Sequence, residues 1–230
     1  MSDVIKREVV AAIRAVINKD DDVSQVSESY VVQPRKYALS TEKIGEKTKG
    51  MMIKRFEEAV ANLNTVSAKL DTANKEAAGE FHSDFRSLKF DESSLLSRSF
   101  LTAMTLENIS DLDSKITMDS LPFLRLDRDF QSFDNWQRDF IACGKCITDG
   151  FVACGLNVYL KKYTNIICAG PTFSVPVGFM PILVLAIDPI VISRNFSADN
   201  SQFIASMMKE IDWDKVSDRI KKSEKFLKIL

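Results

Sequence analysis

Between Tyr163 and Ile187 the chain runs 25 residues without a charged side chain. That is long enough for a helix to cross a bilayer core. Gly170, Pro171, Pro176, Gly178 and Pro181 forbid such a helix, because each proline removes a backbone donor and clashes with the preceding turn. Phe173, Val175, Val177 and Phe179 alternate with Ser174, Pro176 and Gly178, which predicts a strand by its period of two. The run Ile182–Ile187 is apolar on both parities, as in a strand covered on both faces. Two arrangements satisfy this pattern: the buried centre of a sheet with helices on each side, or β structure kept hidden until it meets a membrane.

A charged fraction of 27%, a hydrophobic fraction of 45% and a net charge of −1 are those of an ordinary globular chain. They argue against a nucleic-acid surface spanning the protein, and no nucleic-acid partner is expected. The segment Met1–Glu8 has an acid before its bases and no apolar core, so synthesis in a cytoplasm without a Sec-type signal is expected. Later release to act at target membranes is compatible with that origin. The length suits one large domain over residues 1–230.

Residues 3–18 space their apolar side chains as an amphipathic helix, and a Ser-rich linker follows to about residue 29. Tyr30–Gln33 reads as extended ahead of Pro34. A long helix is predicted from Thr41 to Ala78, with break points at Gly45 and Gly50. Its stripe of Met52, Phe56, Ala59, Leu63, Val66, Leu70, Ala73 and Ala77 is poor in Leu and Ile for a coiled-coil seam, so packing along a sheet is expected. Phe81, Phe85, Leu88 and Phe90 continue as a short amphipathic piece. Strands are predicted at 99–106 and 115–118, and a solvated charged band at 123–133. A helix is then predicted from Asp134 to Leu160, weakened at Gly150 and Gly155. After the apolar strands, 189–193 reads as another strand, and 201–210 and 213–230 as helices. The last of these carries Lys221, Lys222, Lys225 and Lys228 outside its apolar face. The predicted fold is α/β in the α+β sense: a single domain with a central, mainly antiparallel sheet, helices on both faces and helical termini. Segments 1–29 and 212–230 are candidates for detachable covers.

Cys143-Gly144-Lys145-Cys146 matches the C-x-x-C of redox pairs, but no apolar strand feeds it. Reduced thiols serving as small hydrophobes are the simpler expectation for all four cysteines. Cys154 and Cys168 lack a second paired spacing and His82 is remote, so neither zinc nor any other cofactor is expected. Nucleotide-binding, serine-hydrolase and metalloprotease motifs are absent, and no catalytic residue is assigned. Asp188, directly before Pro189, reads as a cap or turn residue.

Tyr30-Val31-Val32-Gln33-Pro34 and Ser174-Val175-Pro176-Val177-Gly178-Phe179, in that order, resemble segments of the cytolytic Cyt-type δ-endotoxins. Trp136 and Tyr163–Ile167 are similar to that family's tryptophan region and neighbouring strand. The resemblance implies an α–β–α layered toxin whose helices swing away at a lipid bilayer, exposing a sheet that inserts or disrupts the membrane, with homo-oligomers as the active form. On this reading Phe173, Val175, Val177, Phe179, Leu183 and Leu185 are the membrane-contact candidates. Met52, Phe56, Leu63, Val66 and Leu70 are then the helical cover. The alternative expectation is a structural or self-assembling interaction protein of viral or phage type. A third is a redox protein using Cys143 and Cys146.

Overall fold

The computed structural model describes residues 44–109, 114–197 and 199–229, together with Arg35, Tyr37 and Leu39. The helix expected at 3–18, its linker and the extended piece at 30–33 lie outside the described residues. Helix α1 spans Glu46–Thr72, with Gly45 at its N-cap, and buries Met52, Phe56, Leu63, Val66 and Leu70 along the predicted stripe. It stops six residues before Ala78. The Asn74 side chain accepts hydrogen bonds from the Glu76 and Ala77 amides, fixing a turn that competes with the helix. Ser83 then caps α2, Asp84–Glu107, by accepting from the Arg86 amide. The strand expected at 99–106 is the second half of this helix. Leu, Ala and Met favour a helix there. Burial of Leu101, Thr102, Met104, Thr105 and Leu106 on more than one side blurs the 3.6-residue period.

Residues 115–118 form no strand; a turn at 117–120 leads instead into α3, Leu121–Phe130. The charged band thus lies on a helix, with Leu126 buried beneath it. Helix α4, Phe133–Lys145, is capped by Ser132 and ends well short of Leu160. The chain crosses into strand β1, Gly150–Asn157, and returns through β2, Lys162–Ala169. Phe151, Cys154 and Val158 fit a helical spacing by coincidence. Gly150, at φ +146°, adopts a backbone that other residues reach only with strain, and it starts the strand.

Strand β3, Phe179–Ile187, completes an antiparallel sheet of order β2-β1-β3. The register of β3 on β1 shifts at Cys154/Gly155, where Pro181 takes the place of a ladder donor on this edge strand. The alternating segment 173–178 is a loop rather than strand: Phe173 holds φ +46° and Gly178 φ +76°. Residues 189–193 form helix α5, Pro189–Asn195, rather than a strand. Asp188 caps it through the Ile190 and Val191 amides, and Pro189 occupies the first turn, where a missing N–H costs nothing. Helices α6, Asn200–Met207, and α7, Trp213–Leu227, close the described fold.

Helices cover both sheet faces, as expected. On one face Val152, Cys154, Leu156, Leu183 and Leu185 pack with Trp136, Phe140, Phe203, Val216 and Ile220. On the other, Phe151, Ala153 and Val184 meet Leu101, Met104, Phe173 and Phe179. The C-terminal segment expected as a removable cover thus supplies Trp213, Val216 and Ile220 to the main core.

Candidate functional site

Two concavities collect the polar and apolar groups of interest. The first is a small, partly open cleft of about 30 Å³ beside Gly150, lined by Arg55, Arg98, Thr102, Asp149 and Asp188. Its charges are closed on one another. Arg55 Nε lies 2.9 Å from Asp188 Oδ2, and Arg98 Nη2 lies 3.1 Å from Asp149 Oδ2. The Arg98 guanidinium also stacks over the Phe173 ring at 4.4 Å, and Phe173 meets Phe151 edge-on at 5.7 Å. These contacts hold Phe173 buried in its left-handed conformation. The cleft has room for about two waters, and both cations already have their anions.

The second is an open groove of about 620 Å³ between α2, the start of β3 and α7. Leu96, Phe100 and Met104 form one wall, and Phe179, Met180 and Pro181 lie opposite. Leu96 and Phe100 are 46% and 55% exposed, unusual for large apolar side chains adjoining one another. Phe90, six residues before Leu96 and so on another face of α2, is also half-exposed, with Arg86 stacked over it at 4.6 Å. The third wall carries Arg219 and Lys222.

Arg219 is fixed by a polar cluster. It pairs with Glu107 at 2.6 Å, donates to the Ile182 carbonyl at 3.2 Å and bonds the Asn108 side chain. Asn108 in turn donates to the Val184 carbonyl at 2.7 Å, and its own carbonyl accepts from the Asp212 amide at 2.6 Å. Two carbonyls of edge strand β3 are therefore taken by side chains, and the edge is closed to another strand. Below, Arg125 forks onto Glu224 and holds that carboxyl below the usual carboxylate range. Burial pushes the neighbouring Tyr163 hydroxyl up to about 12.

The residues singled out by sequence are scattered over these features. Leu183 and Leu185 are buried on the α4/α7 side of the sheet, whereas Phe173 and Phe179 are buried on the α2 side. Val175 lines the groove half-buried, and Val177 is 84% exposed at the tip of the loop. Met52 and Phe56 join the main core, while Leu63, Val66 and Leu70 belong to neither core cluster. Cys143 sits in the last turn of α4 and Cys146 at its C-cap, the negative end of the helix dipole. Burial and then Asp139 push the Cys143 thiol up, the opposite of an activated redox thiol. Burial likewise pushes Cys154 up to about 12 and Cys168 up to about 11, and all four cysteines are free.

Among the described residues no group of three or more His, Cys, Asp or Glu is placed to hold a metal ion. No described helix is long and apolar enough to cross a membrane. No protein-family model matches the chain, and no curated protein matches it.

Sequence reasoning missed Leu96, Phe100, Met104, Arg219 and Lys222. A signal was present, since Leu96, Phe100 and Met104 follow one another at four-residue spacing and share one face once the segment is read as α2.

Proposed function

We propose that the protein is a non-catalytic binding module that uses the groove between α2, β3 and α7 to hold an apolar segment of another polypeptide. The observation that carries this reading is the pair of adjoining, half-exposed side chains Leu96 and Phe100 on the wall of an open apolar groove. Soluble proteins rarely leave such groups adjacent unless a partner covers them. The ion pairs of the small cleft support the same reading, because each of its cations already faces an anion of the chain. Panning a displayed peptide library against the full chain tests it. Sequences with apolar residues at helical spacing should be enriched on the native protein and lost on Phe100→Ser. Enrichment indifferent to that change would sink the proposal.

A second reading, the membrane-disrupting cytolysin that the sequence resemblance implies, with a bilayer as partner and an oligomer as active form, is favoured by a different observation. Val177 projects from an uncharged loop, and beside it Tyr159 and Leu160 at the β1–β2 turn are also exposed. Dye release from neutral and anionic vesicles tests this reading. Release reduced by Val177→Asp supports it, and no release at micromolar protein removes it.

A further inference from the structure

Resting on the binding-module reading, we infer that the groove's partner is an acidic amphipathic helix, with an apolar stripe for the groove and carboxylates for its rim. The mode of binding follows from the edge of the sheet. An extended segment binds a sheet by adding to its edge, which needs free backbone carbonyls and amides. Here Arg219 and Asn108 occupy the Ile182 and Val184 carbonyls of β3. The surface left is a trough between two helices and the start of a strand, the shape that receives a helix by its apolar face. From Leu96 to Glu107 the α2 wall runs about 17 Å, the length of roughly three helical turns. A flat bilayer would touch the rim and leave the floor uncovered.

The charge preference follows from the rim. Among the described residues that line it the one carboxylate, Glu107, already faces Arg219 at 2.6 Å and Arg35 at 3.2 Å. Lys222 lines the trough and is exposed. Among the described residues it has no acidic partner. Phe226 follows Lys222 by one helical turn, so the basic group sits between apolar ones, as a flanking carboxylate on a partner helix requires.

The test uses the full-length chain and two synthetic 18-residue helical peptides, identical in their Leu/Phe stripe and flanked by either Glu or Lys. Fluorescence anisotropy gives the affinities, and vesicles of 30% anionic lipid serve as a third probe. We expect the Glu peptide to bind about fivefold more tightly than the Lys peptide, Lys222 attracting the one and repelling the other, with the gap closing in high salt. Lys222→Glu should reverse the preference while leaving the melting temperature unchanged, and Phe100→Ser should weaken both peptides. If both peptides bind equally and Phe100→Ser still weakens them, the acidic partner is overturned and the binding module stands. If neither peptide binds, both proposals fall, and vesicle binding in that case points to lipid as the partner.

Discussion

Asn108 is the residue whose loss should report most directly on how the sheet edge is held. It is buried, donates to the Val184 carbonyl at 2.7 Å and accepts from Arg219. Asn108→Ala removes one neutral hydrogen bond and one to a charged donor, and leaves the Val184 carbonyl facing no donor. A neutral bond contributes about 1 kcal/mol and a charged one about 1.5–3 kcal/mol. Arg219 keeps Glu107 and the Ile182 carbonyl, which limits its share to the lower end. The expected loss is about 3 kcal/mol. For a chain of this size that corresponds to roughly 6–12 °C in melting temperature. Urea denaturation followed by the fluorescence of Trp136 and Trp213, both buried in the main core, measures it. The double variant with Arg219→Met should lose less than the sum of the singles, with a coupling of about 1–2 kcal/mol. A single-variant loss below about 1 kcal/mol, or additive singles, would refute the view that this pair seals the edge of β3.

Other outcomes follow from the same structure. A Cβ on Gly155 would lie 2.5 Å from the Met180 carbonyl oxygen and 2.5 Å from the Phe179 ring, so Gly155→Ala should cost about 1–3 kcal/mol in chemical denaturation. Thiol labelling of the native protein at pH 8 should modify the exposed Cys146 first and Cys143 more slowly. Cys154 and Cys168 should react only on unfolding, and their early labelling would contradict the packing. Because Arg125 depresses the Glu224 carboxyl, its stabilisation is present above the unfolded-state value near 4.5 and lost as pH falls through the folded-state value. Glu224→Gln should therefore be less stable than the natural chain at neutral pH, and the two should converge as pH falls below 4.5 and through the folded-state value. A constant offset across that range would assign the effect to packing alone.

The elements legible in the sequence are those where period and punctuation agree. Helix α7 has Asp212 as a capping acid followed by Trp213, Val216 and Ile220 on one face, and β3 is an apolar run too short for a helix. Misreadings fell where burial on more than one side erased the period. Leu101 to Leu106 is helix wedged between the sheet and α1, and Phe151 to Leu156 is the central strand, apolar on both faces. At 189–193 β-branched residues outweighed a local signal, since Asp-Pro is a cap followed by a first-turn proline. The groove was hidden for a different reason. Its walls come from residues 96–107, 175–181 and 219–223, and their meeting is a property of topology rather than of any one segment.

The α1–α2 hairpin divides the molecule's resistance to unfolding into two levels. The Met52–Val60 end of α1 is anchored in the main core, but Leu63, Val66 and Leu70 are shielded without joining either cluster. Along the first half of α2, from Asp84 to Arg98, no side chain is fully buried. The distal turns of both helices therefore form a cooperative unit with little apolar area of its own, able to open while the sheet stays shut. Amide protons near Leu70 and Leu88 should exchange through that smaller opening, and those of β1 only through global unfolding. The hairpin tip thereby becomes the place where a protease, or a partner that prefers an open form, gains entry without paying for the whole fold.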